Sequence, residues 1–473
     1  PKEPMIFSSG FFLFLFLGFI AVYSIVYKHN KLKNIYLTLF SIFFYYKSSG
    51  LYFILLLITA VVDYNLARQI ARTEIKQRRT LFLVISLVVN IGMLIYFKYT
   101  NFFLGIVCDI VNKPFDPLNI FLPVGISFFT FQSLSYTIDI YRRNIAPVKD
   151  ISEFAFFVTF FPQMVAGPIV RASVFLPQVR KTPFVSKADF GKAIFLICIG
   201  LFKKAVISDY ISSNFVDRIF DNPGLYTGLE NLFGVYGYAL QIYCDFSGYT
   251  DMAIGIALLL GYKLPVNFDS PYQSASITEF WRRWHISLSS WLRDYLYISL
   301  GGNRKGKIRT YINLMITMLI GGLWHGAALR FVIWGALHGI GLAFEKFFNT
   351  IVNIPKNKFT RLLGIIITFH FVCFTWVFFR ADTMDVVNAM LVQITTSFHA
   401  EIIPDFIKGY PYVLMLMALG YILHFIPSKI EERTTQVVID SPFVLKIAYL
   451  IIIVFVVIQI KSSEIQPFIY FQF

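Results

Sequence analysis

Charge is what this sequence has least of. Only 15% of the 473 residues are Asp, Glu, Lys or Arg, against 57% hydrophobic, and that shortage excludes a water-soluble globular domain. No charged residue occurs between Glu3 and Lys28, Arg309 and Arg330, Arg361 and Arg380, or Lys408 and Lys429. Each run approaches the ~20 apolar residues that cross ~30 Å of hydrocarbon. Cysteine is scarce too. Cys108, Cys198, Cys244 and Cys373 are scattered among apolar neighbours, which excludes a disulfide framework and a cysteine metal cluster and leaves them as packing residues. HExxH, HxxxH and Cys/His clusters are missing, so no metal is expected, and GGNRKGK lacks the spacing of a phosphate-binding loop. Internal repeats, low-complexity tracts and soluble linkers are also missing, which predicts a single domain over residues 1–473.

What is there is apolar sequence in long unbroken runs. Lipid offers no hydrogen bonds to backbone, so spanning segments are helices or a closed barrel, and runs without two-residue alternation select helices. The expected class is an all-α, polytopic membrane protein of about eleven transmembrane helices. Clear spans fall near residues 6–27, 33–47, 50–67, 80–97, 190–204, 331–349, 361–379, 410–427 and 443–460. Residues 6–27 are too long for a signal-peptide core and lack a small-residue cleavage site, so they read as a retained first span. The net charge of +15 is topological in such a protein rather than a sign of nucleic-acid binding. Lys28, Lys31 and Lys33 form one basic loop and Arg68, Arg72, Lys76, Arg78 and Arg79 another, which puts both in the cytoplasm and the N-terminus outside it.

The middle of the chain is less regular. Residues 119–141, 152–170, 230–262 and 276–325 mix apolar stretches with Pro, Gly and charge, the pattern of re-entrant or interfacial helices around a cavity. In GGLWHGAALR, residues 321–330, His325 lies in a run free of charge, where an ionised group costs ~3 kcal/mol and is functional by default. Its glycine neighbours are expected to let the backbone bend and a substrate come close. The bland alternative is a neutral histidine tying two helices. In SITEFWRRWHISLSSWLRDYLYISLGGNR, residues 276–304, Trp281, Trp284 and Trp291 form a stripe while Arg282, Arg283, Arg293 and Asp294 project elsewhere, as in a helix at headgroup level; that leaves His285 unexplained. QIYCDFSGYTDMA, residues 241–253, predicts a helix break at 246–250 that lets Asp245 and Asp251 either cap helix ends or orient a histidine. FPQMVAGPIVR, residues 161–171, reads as a broken helix in the cavity wall, and His338, His370 and His424 as hydrogen-bonded core histidines.

Taken together, QIYCDFSGYTDMA, NFDSPYQSASITEFWRRWHISLSSWLRDYLYISLGGNR and GGLWHGAALRFVIWGALHG resemble the membrane-bound O-acyltransferase family, in the branch that acetylates alginate and peptidoglycan. The likeness is dense from about residue 122, where LPVGISFFTFQSLSYTIDIYR also fits, to about residue 339. The resemblance puts the catalytic histidine of the family's WHG motif on His325 and the histidine of its RWH motif on His285. WRRWH and GGLWHG favour the acetylating branch over the D-alanyl transferases of teichoic acid synthesis.

What the resemblance implies is a central tunnel, lined or used for substrate binding by Trp324, Trp284, Asp245, Ser247, Asp251 and Arg283. No cofactor is bound; acetyl-CoA is the acyl-donor substrate, and the basic segment Arg304, Lys305, Lys307 and Arg309 is placed either to attract it or as a solvated loop. The acceptor is a hydroxyl of an extracytoplasmic polysaccharide, reached through an esterase-like acetyltransferase partner, and the location is the plasma membrane. The sequence alone leaves two other readings open: a transporter with an intramembrane His/Asp site, and a scaffold without turnover.

Overall fold

The computed structural model describes residues 7, 9–353, 355 and 357–460, and among them every regular element is a helix. The polytopic all-α expectation holds. By length and composition, five helical stretches are long and apolar enough to cross a membrane: Asn30–Arg72, Lys76–Ile110, Leu329–Ile351, Lys358–Arg380 and Phe443–Ile460. Two bent pairs, Met384–Thr396 with Ala400–Gly409 and Pro411–His424 with Ser428–Asp440, raise the number to seven if each is one span. The Asn30–Arg72 stretch is interrupted at Gly50, whose φ of 59° ends one helix before the next begins. Counting apolar runs gives more spans than this because several runs fold as short helices; Gly10–Val26, at 17 residues, is one of them. Residues 6 and 8 of the expected first span lie outside the described residues.

The chain divides into two compact units. One comprises Pro1–Phe190 with Ala253–Pro265, the other Gly191–Met252 with Val266–Phe473. The first unit is held by aromatic packing and by polar groups that satisfy one another. Asp63, fully buried, accepts hydrogen bonds from Ser86 Oγ at 2.6 Å, Asn90 Nδ2 at 2.8 Å and Ser133 Oγ at 2.5 Å, and so ties three helices together where water is excluded. Lys33 departs from the expectation of a solvated basic loop. It sits inside the helix Asn30–Ser49, fully buried, with Nζ donating to the carbonyls of Val179 and Lys181 at 3.1 Å each. Those carbonyls belong to the last turn and exit of the helix Ala172–Val179, where a cation complements the helix end. The expected break at FPQMVAGPIVR is present: the helix Ile151–Thr159 stops, Pro162 opens the one-turn helix Phe161–Met164, and the chain beyond it is irregular and buried.

In the second unit the expected break at 246–250 is absent. Gly228–Leu259 is one continuous 32-residue helix. The small residues that read as a break instead serve packing: a Cβ on Gly248 would meet the Gly200 carbonyl at 2.8 Å, and one on Gly200 would meet the Gly248 carbonyl at 2.5 Å. Gly200 lies in the last turn of the helix Lys187–Leu201, so two helices touch backbone to backbone there. Gly248→Val is expected to cost about 1–3 kcal/mol and to lower the thermal midpoint of the purified protein in detergent. An unchanged midpoint would contradict the close approach.

Candidate active site

His325 is the last residue of the helix Lys307–His325, which turns at once into Leu329–Ile351. The two helices pack tightly because glycines face backbone: a Cβ on Gly322 would overlap the Phe331 carbonyl, and one on Gly335 the Met318 carbonyl. A Cβ on Gly326 would overlap the Phe331 ring. The glycines around His325 are therefore spent on helix contact rather than on substrate approach, as the sequence had suggested. The result is a histidine held at the tip of a rigid hairpin. Its ring is 3% exposed and lies 5.0 Å from Trp324, 5.1 Å from Trp334 and 5.2 Å from Phe379, each met edge to face.

His285 is the second imidazole, 6.4 Å from the first between ring centroids and 5.7 Å from Trp324. Phe246 closes another side at 4.7 Å. His285 interrupts what the sequence presents as one interfacial helix: its φ of 43° and ψ of 55° stop Ile277–Arg283 and start Ile286–Trp291 in a new direction. Left-handed backbone at a residue with a Cβ costs about 1–2 kcal/mol and survives only where contacts impose it. Here Asn267 imposes it. Its carbonyl accepts from Ile286 N at 2.9 Å, and its Oδ1 accepts from Ser287 N at 3.1 Å and Ser287 Oγ at 2.8 Å. The break also corrects the expected headgroup-level tryptophan stripe. Trp284 and Trp291 are 1% and 7% exposed, and Trp284 stacks on Phe280 and meets Trp376 at 5.0 Å.

The other expected site residues divide. Trp324 lies against both histidines, and Trp284 belongs to the aromatic wall one ring further out. Asp245, Ser247 and Asp251 neither cap a helix end nor orient a histidine by any hydrogen bond described; they lie within the unbroken helix, where Ser247 is buried. Lys204 Nζ lies 2.6 Å from both Asp245 and Asp209, and Lys203 Nζ lies 2.8 Å from Asp251. These lysines, which the sequence reading passed over, compensate the carboxylates across the contact at Gly200 and Gly248. Arg283 is engaged away from the histidines, with Glu279 at 3.1 Å and Asp269 at 3.5 Å. Burial works against the Glu279 carboxylate, yet the Ala275 amide and the Arg361 and Arg283 guanidinium groups hold it below its ordinary value. Its neighbour Arg282 faces open space instead.

That space is a cavity of about 690 Å³ lined by Trp281, Arg282, Arg293, Lys346, Leu314 and Met318 among others. Met318 is seven residues before His325 on the same helix, hence two turns away on one face. Trp281 links this wall to the histidine: its Nε1–H donates to His338 Nδ1 at 3.2 Å, so His338 carries its hydrogen on Nε2 and donates to Thr375 Oγ1 at 3.0 Å. His338 in turn lies 4.7 Å from Trp334, which touches His325. His424 is buried and accepts from the Tyr272 amide as expected, whereas His370, bonded to Tyr236, is exposed on its helix and not a core histidine.

A buried pair of imidazoles in an aromatic setting within a membrane bundle defines a class, and sequence comparison agrees with it. The profile of the family described as MBOAT, membrane-bound O-acyltransferase family, matches residues 147–383, and the chain belongs to that family. It is an O-acyltransferase. Among its relatives, the peptidoglycan O-acetyltransferase of Helicobacter pylori is 38% identical over 411 residues, 80% of this chain and 78% of the relative. The probable alginate O-acetylase of Pseudomonas aeruginosa is 41% identical over 389 residues, 81% and 73% of the two chains. The teichoic acid D-alanyltransferase of Bacillus subtilis is more distant, 31% identical over 280 residues covering 56% and 70%. The matched region begins after the LPVGISFFTFQSLSYTIDIYR stretch and reaches beyond residue 339, so it includes Trp376 and Phe379.

Removing one partner of the lysine cluster leaves buried charge uncompensated. Lys204→Met is expected to lose about 3–5 kcal/mol of stability, and adding Asp245→Asn to recover part of it. Thermal unfolding of the single and double variants checks this; equal midpoints in wild type and Lys204→Met would refute the pairing.

Proposed function

We propose that the protein transfers an acetyl group from acetyl-CoA to a hydroxyl acceptor, with His325 as the general base. The observation that carries this reading is the fixed, solvent-poor pair His325 and His285 with Trp324 against both. A thioester is already activated, so the chemical requirement is a hydroxyl oxygen freed of its proton next to the carbonyl carbon. The acceptor O–H passes its proton to the His325 imidazole while its oxygen bonds to the carbonyl carbon. The carbon–sulfur bond then breaks, and the imidazolium returns the proton to the departing thiolate, so that ester and free thiol leave. General base catalysis of this kind contributes about 10²- to 10⁴-fold.

The cavity beneath the hairpin supports the donor assignment. Arg282, Arg293 and Lys346 suit the phosphates of a nucleotide thioester, Trp281 offers a stacking face, and Leu314 and Met318 add apolar lining from the helix that ends at His325. The exposed segment Arg304, Lys305, Lys307 and Arg309 adds positive charge at the start of that helix. A tunnel that brings the donor from the cytoplasm and the acceptor from outside completes this reading, with the two units acting as one catalytic domain, since the family match runs through the sequence of both. The identities of 38–41% to acetylating relatives favour acetyl, an extracytoplasmic polysaccharide acceptor and an esterase-like partner that finishes the modification. The plasma membrane, with the N-terminus extracytoplasmic, is the setting this requires.

Purified protein incubated with labelled acetyl-CoA and polysaccharide acceptors is expected to transfer label. His325→Ala is expected to reduce transfer at least about 10²-fold at an unchanged thermal midpoint. Full transfer by a folded His325→Ala protein would end the proposal.

A further inference from the structure

We infer that Asn267 is a positioning residue that holds His285 as the tautomer with hydrogen on Nδ1, making Nε2 the nitrogen that accepts a proton or hydrogen bond. The inference rests on the acyl-transfer reading above and assigns the role that the sequence leaves open for His285.

A backbone N–H only donates, so the Ser287 amide 3.1 Å away identifies the facing Asn267 atom as the amide oxygen. That oxygen also receives the Ser287 hydroxyl at 2.8 Å. His285 Nδ1 lies 3.2 Å from the same oxygen. An amide oxygen has only lone pairs to offer, so Nδ1 must bring the hydrogen. A neutral imidazole has one hydrogen on nitrogen, and Nε2 is then the basic position. Asn267 is itself fully buried, which removes water as a competing partner and makes the geometry persistent. Its backbone carbonyl accepts from Ile286 N at 2.9 Å, so side chain and main chain of one residue grip both the ring and the left-handed turn that carries it.

The consequence is selective. Sequence allows His285 to stabilise an oxyanion, to orient the donor or to position His325. A neutral ring with its hydrogen committed to Asn267 has none to give an oxyanion, so His285 works as an acceptor. The Phe246, Phe268 and Trp324 rings, at 4.7, 6.4 and 5.7 Å, keep that nitrogen in a setting that favours the neutral ring.

The test combines variants with a spectroscopic signature. In ¹⁵N-histidine-labelled protein in bilayers, with His285 assigned by difference from His285→Asn, the protonated nitrogen is expected to be Nδ1. A hydrogen on Nε2 overturns the inference whatever the variants do. Asn267→Ala is expected to lower kcat about 10²-fold with the donor KM within about twofold, whereas Asn267→Asp, which keeps the acceptor oxygen, stays within about tenfold of wild type. Folded Asn267→Ala with wild-type kcat, or Asn267→Asp as impaired as the alanine variant, overturns it as well. If Asn267→Ala does not fold, the nitrogen resonances and the aspartate variant decide. His325→Ala separates the two levels: an active His325→Ala removes the acyl-transfer reading itself, while an inactive one beside an active Asn267→Ala removes only this inference.

Discussion

The close approach of the helices Lys307–His325 and Leu329–Ile351 fixes where the His325 imidazole can be. With Gly322 against the Phe331 carbonyl and Gly335 against the Met318 carbonyl, the hairpin has no room for side chains at its seam and therefore no freedom to slide. His325 ends the first helix at the turn, and Trp334, one turn into the second, faces it. Everything else about the site follows from that placement. Phe379 of Lys358–Arg380 can reach the ring, Trp324 can touch both histidines, and Trp281 can connect a cavity wall to the site through His338.

A second constraint is general to this environment. Burying a polar group away from water is costly unless it is paired, and the buried charges of this chain find partners in groups rather than singly. Asp63 takes three neutral donors, Lys33 takes carbonyls at a helix exit, and Lys204 takes two carboxylates. Asn267 follows the same rule, and its partners include His285, one of the two buried imidazoles. The hydrogen bonds that satisfy Asn267 are the ones that hold that ring in place.

Much of this was legible from the sequence where the signal is local. Charge-free runs mark the bundle, and an imidazole inside one of them marks His325. The WHG and RWH wording pairs it with His285, which the fold then brings within 6.4 Å. The failures share a cause. Gly248 beside Ser247 reads as a helix break because small residues do break isolated helices; only its contact with Gly200, some fifty residues earlier in sequence, shows it to be a packing site. Arg282 and Arg283 both read as projecting away from the tryptophans, yet one faces a cavity and the other salt bridges, because neighbouring positions on the helix Ile277–Arg283 point about 100° apart and only the fold shows what each meets. Asn267 lay inside a quoted motif, but nothing local distinguishes it from any other asparagine until Ser287 arrives beside it.

The central claim is that acyl transfer happens at His325 inside its aromatic box. The most direct measurement is a structure of the protein in lipid with an acetyl-CoA analogue whose thioester sulfur is replaced so that the acetyl cannot leave. The account predicts nucleotide density in the cavity under Trp281 and the acetyl carbonyl within about 5 Å of the His325 ring, close enough for a hydroxyl to bridge them. An analogue bound with its acetyl end remote from His325, behind unmoved Trp324, Trp334 and Phe379, would contradict it.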